Sequence, residues 1–286
     1  MMENNPVKEK VNPVLGAVKG AIIAIGAVLP GISGGALCVI LGIYKRIMAL
    51  LCHPIREIKK QWKFFVPVGI GFVVGTLLSS KVIGGFMEAA ETAALFLFIG
   101  LILGTLPSLF KEAGQQGASS GSYVALFIAA AAMLAWMIPM SLTGSATVAP
   151  SFGWWCACGV LWGLGIVVPG MSPSNIFLFL GLAGPMYNAI GNLDMSVILP
   201  MGACLVITVL ALSKGVDYCL RRRYSVFMHA VLGIVIASTS VILPPVKLLI
   251  TPGYTFATGF TDILIYIACF AVGTLCAWGL SKIQQD

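Results

Sequence analysis

Pro30-Gly31-Ile32-Ser33-Gly34-Gly35 breaks an apolar run in which no other residue calls for a break. Beginning 139 positions later, Pro169-Gly170-Met171-Ser172-Pro173-Ser174 breaks a second run in the same way. Landmarks on either side keep that spacing: Gly26 matches Gly165, and Leu41-Gly42 matches Leu180-Gly181. Two breaks with the same surroundings at one offset are copies, so the chain reads outward from them as an internal duplication.

Proline removes a backbone donor and glycine accepts dihedrals that other residues resist, so each Pro-Gly ends one helix and permits a sharp turn. Pro30, Pro169 and Pro173 are the helix-breaking positions. Apolar blocks at 14–29 and 33–51 flank the first break, and blocks at 154–168 and 173–190 flank the second. The leading block of about 16 residues gives about 24 Å of helix, short of a ~30 Å hydrocarbon core. Each pair is therefore expected to form a re-entrant hairpin with its tip inside the membrane. Non-helical backbone is tolerated there only against protein or a wet cavity.

Composition supports a bilayer as the solvent. Hydrophobic residues make up 59% of the 286 and charged residues 9%, with a mean hydropathy of +1.00, against roughly 25% charged in soluble domains. Six further apolar blocks, at about 64–81, 92–110, 122–140, 197–215, 226–243 and 260–281, are long enough to cross as helices. Past the breaks the offset between halves falls to 133, where Val66-Pro67-Val68-Gly69 meets Leu199-Pro200-Met201-Gly202 and Ser80-Lys81 meets Ser213-Lys214. The expected fold is an all-α integral membrane protein with an inverted repeat. Each half is a Pro-Gly-broken re-entrant helical hairpin plus three transmembrane helices. The first repeat is 14–150 and the second 151–286, forming one membrane domain behind a polar tail, 1–13.

Charge placement sets the orientation, because cytoplasmic loops are enriched in Lys and Arg. The loop around 52–63 and the Arg221-Arg222-Arg223 cluster are basic, whereas the loops at 82–91, 141–153, 189–196 and 244–259 hold Lys247 alone, with Lys81 at the rim of one. Both termini are then cytoplasmic, in a cell (plasma or inner) membrane crossed several times. The basic loop of one half corresponds to a cation-free loop of the other, which places the halves upside down to each other. The net charge of +7 is thus spent on topology and does not point to nucleic acid. Lys19 interrupts the first apolar run and no small-x-small cleavage site follows, which argues against a removable signal. The eight cysteines form no C-x-x-C pair and read as small apolar fillers, so neither metal nor cofactor is implied.

Chemistry concentrates at the tips. Ser172 at an N-cap followed by Pro173 is a favourable helix start. Free N–H groups, the positive end of a helix and nearby hydroxyls together make an anion site, with phosphate the usual guest. The candidate phosphate-binding residues are Gly31, Ser33, Gly34 and Gly35 in the first copy and Gly170, Ser172, Ser174 and Asn175 in the second. Lys19, Lys81 and Lys214 are candidates for guiding an anionic headgroup, although snorkelling to the nearer interface explains Lys19 equally simply. Gly31-Ile32-Ser33-Gly34-Gly35 also fits G-x-S-x-G, but that motif needs a strand-to-helix elbow, and the only histidines are His53 and His229. No catalytic residue is assigned, and an intramembrane serine hydrolase is the least favoured reading.

Pro30-Gly31-Ile32-Ser33-Gly34-Gly35 followed by Leu41-Gly42-Ile43-Tyr44, with the second Pro-Gly-x-Ser copy and Leu180-Gly181 at matching spacing, resembles the polyprenyl-phosphate transporter family. The resemblance spans nearly the whole chain. Pro173, Ala36 and Ala183-Gly184-Pro185 depart from the family's usual residues. The resemblance implies a flippase for undecaprenyl or other polyprenyl phosphate, returning the carrier lipid from the outer to the cytoplasmic leaflet for cell-envelope synthesis. The residues alone also admit a secondary transporter of a small soluble anion. They leave the oligomeric state and the lipid's length open.

Overall fold

The computed structural model describes residues 12–29, 37, 38, 41–52, 54–144, 147–168 and 173–283. These residues form helices and no strand: α1 (Pro13–Val28), α2 (Tyr44–Cys52), α3 (Pro54–Ala89), α4 (Glu91–Gly114), α5 (Ser120–Leu142), α6 (Phe152–Val167), α7 (Ser174–Phe179), α8 (Ala183–Gly191), α9 (Met195–Ile242), α10 (Pro244–Ile250) and α11 (Phe260–Ile283). Six helical stretches are long and apolar enough to cross a bilayer, within α3, α4, α5, each arm of α9, and α11. The protein is an all-α, multi-pass membrane protein. Val66, Ile70, Val73, Val74 and Leu78 on α3, and Ile263, Leu264 and Ile267 on α11, stand exposed, which suits lipid contact.

α1 and α6 have 16 residues each and start and stop at the repeat offset. Asn12 caps α1 by accepting from the amides of Val14 and Leu15, and Ser151 caps α6 by accepting from that of Trp154. At the far ends Leu29 and Val168 turn extended, with ψ of 126° and 111°, the conformation that a following proline imposes.

The returning arms differ from the sequence expectation. Continuous helices were expected over 33–51 and 173–190, yet both arms stop at the Leu-Gly pair. Gly42 and Gly181 each take φ of 70°. The Ile43 amide donates to the Cys38 carbonyl and, at equivalent positions, the Leu182 amide donates to that of Phe177. These are Schellman ends, which require a left-handed residue after the helix. Gly42→Ala and Gly181→Ala are each expected to cost about 1–2 kcal/mol, read as a lower melting temperature. The effect should be larger at Gly181, where an added Cβ would lie 2.7 Å from Thr147 Cγ2.

The basic stretch expected as a loop is also helical. α3 starts at Pro54 and bends at Gln61, where φ is −129° and ψ 31°, separating a charged first turn from the apolar span. α9 bends likewise at Arg223, with φ −142° and ψ 43°. Cations at such bends lie at the end of a span, so a helical backbone there leaves the topology argument intact.

Helices cross through glycines, as close packing in lipid favours. Gly16 abuts Pro67, Gly20 abuts Val68 and Phe72, and Gly75 abuts Ala21 and Ala24, so α1 and α3 run side by side in the same direction. Gly159 abuts Met201 and Gly163 abuts Leu205, pairing α6 with the first arm of α9 in the same way. Gly100 meets Phe270 and Thr274 across α4 and α11, while Gly233 meets Leu126 and Ala130 across α9 and α5.

Candidate substrate-binding site between the two helix breaks

Six of the eight candidate phosphate ligands, Gly31, Ser33, Gly34, Gly35, Gly170 and Ser172, lie outside the described residues, as do Pro30 and Pro169. The flanks of both breaks are described, and one side chain ties them together. Tyr187, on α8 of the second half, donates its hydroxyl to the carbonyl oxygen of Val28 at 2.9 Å. Val28 ends α1, two residues before Pro30. The same hydroxyl is hydrogen-bonded to Ser174, two residues past Ser172. Tyr187 is 1% exposed and Ser174 3%, so this junction is protein interior.

α7 is buried along its whole length, from Ser174 to Phe179. A helix start so placed cannot use water to satisfy its polar groups. Asn175 ties its own side chain to α9 by donating both amide protons, one to Ser238 Oγ and one to Thr239 Oγ1, each at 3.0 Å. Both hydroxyls pass their own protons to the Val235 carbonyl, so they can only accept from the amide. Asn175 was expected as a phosphate donor; its donors are engaged on α9, and its Oδ1 is buried with no partner among the described residues. Asn175 therefore positions the tip, fixing α7 against α9. Pro173 precedes α7 with φ −72° and ψ −6°, already helical.

The three lysines are dispersed. Lys19 donates from Nζ to the Leu41 carbonyl oxygen at 2.9 Å, capping the returning arm of the first hairpin. That bond uses one of its three protons. The Lys81 side chain is exposed, and its backbone packs against Gly191. Lys214 lies on α9 and its side chain is outside the described residues.

His229 lies on the second arm of α9, nine positions before Ser238. Its Nδ1 lies 2.7 Å from the Ser225 carbonyl oxygen, and Ser225 Oγ is 3.0 Å from Ser122 Oγ. These contacts join α9 to α5. Among the described residues no cluster of His, Cys, Asp or Glu could hold a metal ion.

Tyr187, Ser238 and Thr239 went unnoticed in the sequence because their partners are 13 to 159 positions away. Tyr187→Phe is expected to leave the Val28 carbonyl unpaired in the interior at a cost of about 1–3 kcal/mol. The check is thermal unfolding of the purified variant, with uptake measured at a temperature where the variant stays folded.

The undecaprenyl phosphate translocase-like family model matches residues 2–112 and 54–253. A polyprenyl-phosphate transporter of Vibrio cholerae serotype O1 is 23% identical over 241 residues, covering 79% of this chain and 76% of that relative. No solved structure matches. The matches take in both Pro-Gly breaks and most of the spans between them, and the chain belongs to the undecaprenyl phosphate translocase-like family.

Proposed function

We propose that this chain is a transporter of polyprenyl monophosphate. It moves the headgroup from the outer to the cytoplasmic leaflet of a cell membrane while the isoprenoid tail stays in lipid, and both its termini are cytoplasmic. The observation that carries the reading is the single buried hydroxyl of Tyr187 shared by Val28 and Ser174. It brings the end of one broken helix and the restart of the other to one point inside the bundle. Family membership supplies the substrate class.

The halves act as an inverted repeat, 14–150 against 151–286. Matched caps, matched Schellman ends and matched glycine crossings support the duplication. The inversion draws on helix direction: α4 and α11 run together, as do α5 and the second arm of α9. Glu112 near the end of α4 reaches Tyr224 near the start of that arm. The repeat-equivalent α4 and second arm of α9 thus run opposite ways. Such repeats place their substrate at the interface, with broken helices pointing at it.

At the two tips the phosphoryl oxygens accept from backbone N–H groups of Gly31, Gly34, Gly35 and Gly170 and from the hydroxyls of Ser33 and Ser172. Ser174 is already paired with Tyr187, so it orients the second tip. Glycine permits the close backbone approach, and the helix N-terminus favours the negative charge. Rocking of one repeat on the other opens the site to each leaflet in turn. The test is uptake of labelled undecaprenyl phosphate into vesicles holding the purified protein. Transport of undecaprenyl phosphate but not inorganic phosphate supports the reading. Transport of inorganic phosphate alone replaces it with a soluble-anion carrier.

A further inference from the structure

At the end of the bundle away from Arg222 and Arg223, a small cavity lies where α4, α5, α7, α9 and α10 converge. It is lined by Leu95, Ser141, Leu178, Phe179, Ile242 and Lys247. Its interior measures about 10 Å³, room for one water. Leu178 and Phe179 belong to α7, the buried helix that restarts the chain after the second break.

Two polar groups line this otherwise apolar space. Ser141 is 1% exposed and lines the cavity. Lys247 is half-buried, with its ammonium 4.4 Å from the centre of the Tyr254 ring. Burial pushes its pKa below the ordinary lysine value, and Glu91 is the carboxylate whose field reaches it. Tyr254 supplies no counter-charge, because burial pushes its phenol up to about 12 and keeps it neutral. Lys247 has no ion pair among the described residues, and a partly desolvated ammonium is costly unless an anion completes it. The hydroxyl beside it offers a second donor.

We propose that Lys247 and Ser141 form a capture subsite for the phosphoryl group of a phosphate monoester, its first contact before the helix breaks. This rests on the transport reading above and adds the place where the headgroup arrives. In the orientation proposed there, this end faces outward, where the carrier lipid waits. At its present width the subsite is shut to a phosphoryl group. Capture therefore needs α10 to move off α7, as alternating exposure demands.

Binding tests the subsite and transport tests the reading, so the two can fail separately. Farnesyl monophosphate and inorganic phosphate are titrated into the full-length protein in neutral detergent, followed by calorimetry. Lys247→Gln is expected to weaken farnesyl phosphate binding about tenfold, the size of a lost charge-assisted hydrogen bond. Lys247→Arg should restore it to within about threefold, since the charge and donors remain. Ser141→Ala, a milder change, is expected to weaken it about threefold to fivefold, so the subsite remains testable should Lys247→Gln not fold. Equal binding by wild type, Lys247→Gln and Ser141→Ala overturns the subsite, and so does a wild type that binds neither probe. Lys247-dependent binding of inorganic phosphate as tight as that of farnesyl phosphate supports the subsite but assigns it to a soluble anion. Lys247-dependent binding without undecaprenyl phosphate uptake leaves the subsite standing and removes the transport reading.

Discussion

Replacing Ser33 and Ser172 together by alanine is expected to lower undecaprenyl phosphate uptake by about a hundredfold or more, with each single change costing about tenfold. A hydrogen bond to a charged group is worth about 1.5–3 kcal/mol, and 1.4 kcal/mol is a factor of ten. Two such bonds on one phosphoryl group therefore multiply. The backbone N–H groups remain in the double variant, so residual transport is expected. Both serines are placed on the same ligand, and the described flanks give grounds for that. Val28 and Ser174 share the Tyr187 hydroxyl, and each lies within a few residues of one serine. Initial uptake rates in vesicles containing equal amounts of folded protein check this. A double variant as fast as the wild type would mean that these hydroxyls do not hold the phosphoryl group.

The second large effect is a reversal of sign between neighbouring glycines. Gly20→Ala and Gly159→Ala are repeat equivalents whose new Cβ would fall on the backbone carbonyls of Val68 and Met201. Carbonyls held in a helix ladder cannot move aside, so the paired helices must separate. Overpacking costs about 1–3 kcal/mol in general, and the loss of a glycine-mediated crossing should put these at the upper end. Gly69 and Gly202, one position beyond those carbonyls, face open space within 4 Å. There alanine is expected to stabilise, by about 0.5–1 kcal/mol, because glycine costs a helix interior that much relative to alanine. Melting temperatures of the four variants by fluorescence-detected size exclusion provide the check. Losses at all four would show that the helix faces are misassigned.

The proposed duplication draws on a trace that packing leaves in the chain. Glycines at crossings and Pro-Gly at breaks cannot be exchanged freely, so both copies retain them at a fixed spacing. The six spans were legible from length and hydropathy alone. The stops at Gly42 and Gly181 were not. A Leu-Gly pair inside an apolar run looks the same whether its glycine sits in a helix or takes positive φ. The basic stretch after Pro54 read as a loop because charge argues against a span, yet a helix past the membrane edge accepts charge without penalty. For the candidate site, the helix breaks were readable and their lateral ties were not. Asn175 looked like a ligand because it stands at a tip. Its amide protons are engaged by Ser238 and Thr239, 63 and 64 positions away, which no local pattern could reveal.

The most direct test of the central claim is a cysteine cross-link between the two tips. Ser33→Cys and Ser172→Cys are introduced together into a cysteine-free background, and disulfide formation is followed under mild oxidation with and without undecaprenyl phosphate. Disulfides need Cα atoms within about 7 Å. The account expects an intramolecular cross-link that forms readily without lipid and is slowed by the lipid occupying the gap. Failure to cross-link, with the two cysteines instead labelled by impermeant reagents from opposite sides of the membrane, would contradict it.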